Sequence, residues 1–196
     1  ITSHNGERSL IMKVERDELV EEVRKRVPTK NLFKHILAVE AVMRRLAREL
    51  GQDEERWGAA GLLHDIDYEE TKDDPHTHSL LSGKIARELG YDEEIVHAVE
   101  AHNEAHGIPR ESLMDRVLYS ADPLTGLIVA AALISPGKKL EGIDADFVLH
   151  RMGEKSFARG ANREIIKACS DFGMELRRFI ELGLEAMQGI SKELGL

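Results

Sequence analysis

The chain has 196 residues, of which 42% are hydrophobic and 32% charged, and its formal net charge is −9. This length and composition fit a globular domain with its own core and exclude a disordered chain, and no apolar run reaches the roughly 18 residues of a membrane span. The acidic balance predicts no long nucleic acid and no membrane as partners, but it allows a small phosphorylated substrate, possibly a nucleotide, because a bound metal can reverse the local charge.

Apolar residues recur with a helical period along almost the whole chain, so we predict an all-α fold, a compact helical bundle. Residues 1–11 are predicted to be a tag or leader, and Met12 is the predicted native start. The segment 67–75 is polar and predicts a loop, and Pro123 is expected to kink or interrupt its helix. The first four helices are predicted over residues 14–27, 29–51, 53–64 and 77–89. A fifth helix is predicted from 92 through 99, and a sixth begins at 112.

The pattern weakens after Pro136-Gly137, where the helical period breaks. A short helix over 144–152 and a longer helical region over 162–194 follow. Cys169 is predicted to be a small buried residue rather than a nucleophile. Because a single thiol forms no internal disulfide, the chain needs no oxidising compartment, and we predict a cytoplasmic location.

Residues of metal-ligating types lie on the apolar faces of these helices. His35 is three residues after Leu32 and four before Val39, which points it toward the core. Isolated buried polar groups are costly, whereas a shared metal centre would satisfy all of them, so we predict one or two divalent transition metals: Fe, Mn, Zn, Co or Ni, with Mg possible. The predicted inward residues are His35, His64, Asp65, His78, His102 and Asp122.

Other histidines are predicted to lie outside this centre. His97 falls on a polar helix face, which indicates a solvated surface residue, and His106 precedes a glycine, which indicates a loop. His76 competes with His78 for one ligand position. We prefer His78 because it shares the apolar stripe of Leu81.

The order of these residues resembles the HD-domain superfamily of metal-dependent phosphohydrolases. His64-Asp65-Ile66-Asp67 looks like the HDIG-type signature, and residues 78–83, 101–103 and 120–122 resemble the later motifs of that subgroup. The resemblance covers roughly residues 31–134. It implies an HD-type metal-binding helical domain over 12–135, with 136–196 as a C-terminal helical extension packed on the same domain.

The resemblance also implies a ligand set. In two-metal members, His78 and His102 would bind a second ion and Asp65 would bridge the pair, and this chain has a candidate for every position. The first metal would be bound by four residues: His35, His64, Asp65 and Asp122.

Two positions depart from the family pattern. Asp67 stands where a glycine is usual, and Tyr68 stands where members often carry a lysine that meets the substrate phosphate. Lys84 is therefore a candidate substrate-binding residue, with a solvated lysine as the alternative. Asp67 could orient the water or a ligand histidine, with a loop-capping aspartate as the alternative.

These features predict a metal-dependent phosphohydrolase, a phosphomonoesterase or phosphodiesterase, acting on a nucleotide or other small phosphate ester through a metal-activated water. Asp65 and Asp67 are the predicted catalytic residues. No P-loop, dinucleotide fingerprint or GxSxG motif occurs in the sequence. The alternatives are a di-iron oxygenase of the same fold and a non-catalytic, nucleotide-sensing HD protein. Oligomeric state is not predicted.

Overall fold

Helices dominate the part of the chain that the computed structural model describes, residues 14–196, and no strand occurs within that part. The prediction of an all-α fold is therefore confirmed. The predicted tag or leader at 1–11 and the predicted start at Met12 lie outside the described residues. The helices are α1 (Arg16–Arg26), α2 (Lys30–Glu49), α3 (Glu54–Leu63), α4 (Tyr68–Thr71), α5 (Leu80–Glu88), α6 (Glu93–Ala101), α7 (Leu113–Ile134), α8 (Ala145–Met152), α9 (Arg163–Lys167), α10 (Leu176–Gln188) and α11 (Ser191–Leu194), with short 3-10 helices at Glu104–His106, Leu140–Gly142 and Ala168–Phe172.

Helices α2 and α3 form the central pair of the bundle. α2 buries an apolar stripe that includes Ile36, Val39 and Met43, spaced as one face of a helix requires. α3 is buried on every side from Trp57 to Leu63, and it packs on α1, α2 and α6. Because α3 is enclosed in this way, the residues that follow it are delivered into the interior.

Aspartate caps fix where two of the central helices begin. The side chain of Asp53 accepts hydrogen bonds from the backbone N–H groups of residues 55 and 56, and Asp92 does the same for residues 94 and 95. Each cap satisfies N–H groups that have no partner inside the helix, which stabilises the helix by roughly 1 kcal/mol. Both starts agree with the sequence-based expectation.

Local predictions differ from the structure in several places. The predicted loop over 67–75 contains the single-turn helix α4, and the predicted helical region over 162–194 is broken at Gly173, which has φ of 73°. α7 continues without interruption through Pro123. Proline inside a helix costs about 3 kcal/mol, and the packing of both flanking segments in the core outweighs that cost.

α7 is long and apolar enough to cross a membrane by length and composition alone. However, 61% of its most apolar window is buried within the protein, and the helix contacts α2, α6 and α10. Its apolar character is therefore that of a central core helix.

The C-terminal helices lie against the same core. α10 packs on α2, α7 and α8, and α9 packs on α7. Phe179 and Ile180 of α10 are fully buried in that contact. The division into a domain at 12–135 and an extension at 136–196 stays a prediction.

Candidate metal centre

Six side chains of metal-ligating types converge at one point in the bundle, and they are the six inward residues predicted from the sequence. Their side chains range from fully buried at His64 to 30% exposed at Asp122. We call them the His/Asp cluster: His35 on α2, His64 and Asp65 directly after α3, His78 before α5, His102 directly after α6, and Asp122 within α7.

Asp65 stands in the middle of the cluster and faces both sides. Its Oδ1 lies 3.4 Å from Nε2 of His78 and 3.4 Å from Nε2 of His102. Its Oδ2 lies 3.5 Å from Nε2 of His35 and 3.3 Å from Nε2 of His64. One carboxylate thus serves two pairs of imidazoles, one with each oxygen.

Asp122 joins only one of these pairs. Its Oδ1 lies 3.0 Å from Nε2 of His35 and 3.7 Å from Nε2 of His64, and the two Nε2 atoms are 3.3 Å apart. The ligand atoms of His35, His64 and Asp122 all lie within 4.8 Å of one another, as do those of His64, Asp65 and His102. The cluster therefore has two halves: Asp122 belongs to the half that contains His35 and His64, and Asp65 is shared by both halves.

Two of the four imidazoles are anchored by backbone carbonyl groups. Nδ1 of His64 lies 2.6 Å from the carbonyl oxygen of Gly61, and Nδ1 of His102 lies 2.5 Å from that of Val99. A carbonyl group can only accept, so Nδ1 donates in both contacts. In the neutral imidazoles, Nε2 then carries no proton, and its lone pair faces the cluster and is available to bind a metal.

Side chains anchor the other two imidazoles. Nδ1 of His78 lies 2.8 Å from Oδ1 of Asp67. Nδ1 of His35 lies 3.1 Å from the hydroxyl of Thr125, which itself donates to the carbonyl oxygen of Asp122 at 2.9 Å and therefore accepts from His35. Metal-binding histidines are usually held in this way, with the remote nitrogen bound to a carbonyl or carboxylate.

The donor set fits a divalent metal. With all four Nδ1 atoms donating outward, the Nε2 lone pairs of His35 and His64 point at each other across 3.3 Å, which is unfavourable unless a cation or a proton lies between them. Imidazole nitrogen and carboxylate oxygen are ordinary ligands of transition metals. The cluster can therefore hold one or more metal ions, although its geometry does not select the element.

The pKa shifts inside the cluster also fit a cation-binding site. Burial lowers the pKa of His35, but hydrogen bonds to Asp122 and Asp65 outweigh burial and raise that pKa to about 9. Burial likewise opposes protonation of His64, yet the neighbouring Asp65 raises its pKa well above the ordinary value. Burial raises the pKa of the two carboxyl groups, and the adjacent imidazoles overcome it and hold both pKa values low. Protons thus balance the carboxylates in the metal-free protein, and a metal would displace those protons.

Asp67 is buried directly behind His78. Besides its bond to His78, it accepts backbone N–H groups with Oδ2, from Ser79 at 2.8 Å and from Ser82 at 3.0 Å. Burial raises the pKa of this carboxyl group, but the contact with His78 outweighs it and lowers the pKa overall. Of the roles predicted for Asp67, the geometry matches orientation of a ligand histidine and capping of a helix start.

Replacing Asp67 with Asn should weaken the half of the cluster that contains His78. An amide carries one acceptor oxygen, so it can serve either His78 or the N–H groups of residues 79 and 82. We expect metal affinity to fall about 10- to 100-fold, the usual effect of losing such a partner, as measured by isothermal titration calorimetry. Asp53→Asn is the matched control because Asp53 also caps a helix but has no contact with the cluster. Unchanged affinity in Asp67→Asn would contradict the prediction.

Comparison with known proteins decides the family. The sequence model of the HD domain family matches residues 32–132, a stretch that contains the whole His/Asp cluster. The chain belongs to the HD domain family. The resemblance stated from the sequence is therefore confirmed, and it supports a metal-dependent hydrolase.

The chain is also similar to several bacterial proteins named ribonuclease Y. The one from Lawsonia intracellularis is 32% identical over 143 residues, which cover 70% of this chain and 27% of that protein. The one from Oleidesulfovibrio alaskensis is 31% identical over 140 residues, with 70% and 27% covered. The one from Rubrobacter xylanophilus is 25% identical over 167 residues, with 84% and 32% covered. The chain thus spans about a quarter to a third of the length of these curated relatives.

These relatives correct the partner prediction. The expectation of a small phosphorylated substrate and of no long nucleic acid is wrong, because the relatives are named as nucleases of RNA. The error came from the net charge of −9. Net charge averages the whole surface, whereas a substrate responds to the local potential around its site.

His78, and not His76, belongs to the cluster of this HD domain. His76 is exposed and its backbone N–H bonds to Asp74. However, His78 does not lie on the predicted helix, because α5 begins only at Leu80, and Ser79 adopts a left-handed φ of 71°. Its orientation follows from anchoring of the turn rather than from a helical stripe.

Sequence reasoning missed the residues that hold this turn. Nδ2 of Asn103 donates to the carbonyl oxygen of His78 at 3.0 Å, and Nε2 of His106 donates to the same oxygen at 2.6 Å. His106 was predicted to lie in a loop and instead ends the 3-10 helix Glu104–His106. Thr125 was also missed, and its position three residues after Asp122, on the same helix face, was the available signal.

Lys84 is the predicted site residue that the structure does not bring to the cluster. Its side chain is 71% exposed, and its ammonium group lies 4.0 Å from the carboxylate of Glu88 on the same helix. Within residues 14–196 it has no hydrogen bond or ion pair with the cluster. Its role in substrate binding stays a prediction.

His97 lies outside the cluster, as predicted, but it is not simply solvated. Its side chain is 34% exposed, and Nδ1 lies 2.8 Å from Oδ2 of Asp115. Asp115 also accepts the backbone N–H groups of residues 111 and 112 at the start of α7. The histidine therefore contributes to how α7 begins.

Two open clefts adjoin the cluster, and His35 lines both. The first, about 370 Å³, is lined by His35 and Asp122 together with Ala158, Gly160 and Ala161. The second, about 420 Å³, extends from His35 past Lys34 toward Leu133. The cluster is thus reachable from two directions along α7.

Proposed function

We propose that this HD domain is a metal-dependent phosphohydrolase that cleaves phosphodiester bonds in RNA. The observation that carries the proposal is the placement of Asp65, whose two oxygens face two separate imidazole pairs at 3.3–3.5 Å. One carboxylate shared in this way is the arrangement expected between two neighbouring cations.

The ligand assignment follows the two halves of the cluster, and it supports two metals rather than one. His78 and His102 would hold one ion, together with Oδ1 of Asp65. The other ion would be held by His35, His64, Asp122 and Oδ2 of Asp65. When bound, divalent metals supply activation of water and neutralisation of charge on the phosphoryl group.

The residues of this chain hold the donor atoms of the cluster in fixed positions. His64 and Asp67 are completely buried, and every cluster imidazole is held by a bond to Nδ1. A site that is held in advance needs little reorganisation when charge develops in the reaction. Asp67 acts through His78 and not on the substrate, because both of its oxygens are already occupied.

RNA as the substrate rests on the relatives and on access to the site. The alignment with the relatives named ribonuclease Y covers 70% to 84% of this chain. His35 lines two open clefts, which leave room for a strand beside the cluster, whereas a closed pocket would admit only a small ester. The segment 64–67 further supports the HDIG-type subgroup, with Asp67 in the usual glycine place. The cytoplasmic location stays a prediction.

The proposal is tested with purified protein in two steps. Elemental analysis first measures the metal content. Single-stranded RNA oligonucleotides are then incubated with the metal found, and with Mn, Fe, Co, Zn and Mg in turn, beside monoester and diester chromogenic substrates. We expect metal-dependent cleavage of RNA and of the diester, without need for oxygen. Turnover that requires oxygen and releases no phosphate would instead indicate the di-iron oxygenase, and background turnover with every metal would indicate a non-catalytic protein.

The two halves of the cluster predict different metal contents for single variants. His102→Ala removes a ligand from the Oδ1 half alone, so we expect it to retain about one metal per chain where the wild type retains two. Cleavage of RNA should fall by about 100-fold or more, since both metals contribute to charge neutralisation. His150→Ala is the control because His150 is 78% exposed and lies outside the cluster. Equal metal content in His102→Ala and the wild type would contradict the division into halves.

A further inference from the structure

Part of the wall of the cleft at the metal centre comes from outside the matched HD region. The cleft beside His35 and Asp122 is also lined by Ala158, Gly160 and Ala161, whereas the family match ends at residue 132. The C-terminal extension therefore supplies part of the surface that a substrate at the cluster must meet. The segment concerned, residues 152–161, runs from the last residue of α8 toward α9, and we call it the cleft loop.

A single arginine holds the cleft loop. All five N–H donors of Arg163 can be assigned to backbone carbonyl oxygens of this loop, which is the full donor capacity of a guanidinium group. Arg163 makes no ion pair with any described carboxylate, so its charge is balanced by carbonyl dipoles alone. The acceptors are Met152 at 3.3 Å, Ala158 at 2.6 Å, Ala161 at 2.8 Å, Glu154 at 3.4 Å, and Phe157.

The fixed loop carries an unpaired cation beside the cleft. Arg159 lies between Ala158 and Gly160, which both line the cleft, and its side chain is exposed. Across residues 14–196 it has no hydrogen bond or ion pair, unlike Arg151, which pairs with Glu154 in the same region. Ala158 has a left-handed φ of 45°, a conformation that an L residue adopts only at a cost and that Arg163 holds through its bond to the Ala158 carbonyl.

We propose that the cleft loop is the substrate-strand wall of the active site, with Arg159 binding a backbone phosphate next to the scissile one and Arg163 acting as its positioning residue. The proposal rests on the proposed function. The cleft walls offer almost no side chains beyond the cluster itself, since residues 126, 130, 158, 160 and 161 are all glycine or alanine. An RNA strand can therefore approach the protein backbone closely. Binding there depends on the charge of the RNA phosphates rather than on the shape of its bases.

This assignment explains how an acidic chain can hold a polyanion. Many cations elsewhere on the described surface pair with acidic partners, as Arg56 does with Asp92 and Arg178 with Glu49. Arg159 is left free at the place where the phosphates of a strand at the metal centre would pass. The negative net charge thus does not conflict with a local phosphate contact.

The test compares single variants of the whole chain in cleavage of a single-stranded RNA oligonucleotide. We expect Arg159→Gln to raise KM about three- to tenfold, with a smaller change in kcat and unchanged metal content. In a plot of the logarithm of the RNA-binding constant against the logarithm of salt concentration, the magnitude of the slope should fall by about 0.7. That is the contribution of one phosphate contact on a single strand. Arg159→Lys should restore KM, because a lysine also contacts phosphate as a point charge.

Arg116→Gln is the matched control. Arg116 is likewise an exposed arginine without an ion pair among the described residues, but unlike Arg159 it has no chain neighbour that lines the cleft. The Arg116→Gln variant should keep KM within about twofold of the wild type, because the positive charge that it removes does not lie beside the RNA strand.

Arg163 is tested with two variants because a large change can unfold the loop. Arg163→Lys keeps the charge but offers three donors to five carbonyl groups, and Arg163→Met offers none. We expect KM to rise in the order wild type, Arg163→Lys, Arg163→Met, and trypsin to cut after Lys155 and Arg159 faster in the same order, with metal content unchanged. If the wild type cleaves RNA but Arg159→Gln and Arg163→Lys match its KM, the cleft-loop proposal is wrong and the proposed function stands. If the wild type cleaves no RNA with any metal, the proposed function itself is wrong.

Discussion

Asp65→Ala should abolish both metal retention and RNA cleavage while leaving the helical content of the protein intact. The Asp65 carboxylate lies within 3.5 Å of Nε2 of all four cluster imidazoles, so no other residue of the cluster is shared by both halves to the same extent. Its removal takes away one ligand from each metal position together with one negative charge. We expect activity to fall by roughly 1000-fold or more, beyond the 10- to 100-fold typical of partners that act through a ligand.

The fold should tolerate this change because Asp65 stabilises little else. It follows α3 rather than forming part of it, and within residues 14–196 its side chain pairs with the cluster histidines. Metal content by elemental analysis, cleavage rate and far-ultraviolet circular dichroism should be measured on the same sample. Asp73→Ala is the matched control, since Asp73 is exposed and has no hydrogen bond or ion pair within the described residues. An Asp65→Ala protein with full metal content would refute the shared-carboxylate assignment.

The cluster was predictable where the helical period itself orients the side chain. His35 and Asp122 lie inside α2 and α7, and their spacing from apolar neighbours is enough to place them toward the core. The pair His64-Asp65 was predictable because α3 ends at Leu63 and leaves both residues at its buried end.

Other parts of the site depend on contacts that no local pattern records. His78 was correctly chosen for an incorrect reason, because its turn is held by Asn103 and His106, which lie about 25 residues later in the chain. The path of α7 through Pro123 depends on packing energy, which a local rule for proline cannot include.

The substrate was the least predictable feature. Composition gave the net charge, but the free charge of Arg159 depends on which cations find carboxylate partners in the folded protein. The role of Arg163 depends on a loop that has no periodic pattern. Both residues lie beyond the stretch that matches the HD family, so the family resemblance could not indicate them either.

The second large effect is expected at the contact between α2 and α3. Gly61→Ala should destabilise the protein by roughly 3 kcal/mol, at the upper end of the cost of overpacking a core. A Cβ atom at residue 61 would lie 2.8 Å from Cα and 2.9 Å from N of Glu40, and 3.1 Å from the carbonyl carbon of Val39. These are backbone atoms, which cannot rotate away as a side chain would. The two helices must therefore move apart.

Moving α2 and α3 apart should also disturb the metal centre. His35 lies on α2 and His64 directly follows α3, and both belong to the same half of the cluster. The Gly61 carbonyl holds Nδ1 of His64, whose Nε2 must stay 3.3 Å from that of His35 on α2. Unfolding by urea should be followed in the presence of a chelator, so that metal binding does not add to stability. Gly126→Ala is the matched control, since it also lies within a helix but meets nothing within 4 Å, and it should gain about 0.5–1 kcal/mol. If Gly61→Ala were as stable as Gly126→Ala, the close contact of the two helices would not be what sets the distance between His35 and His64.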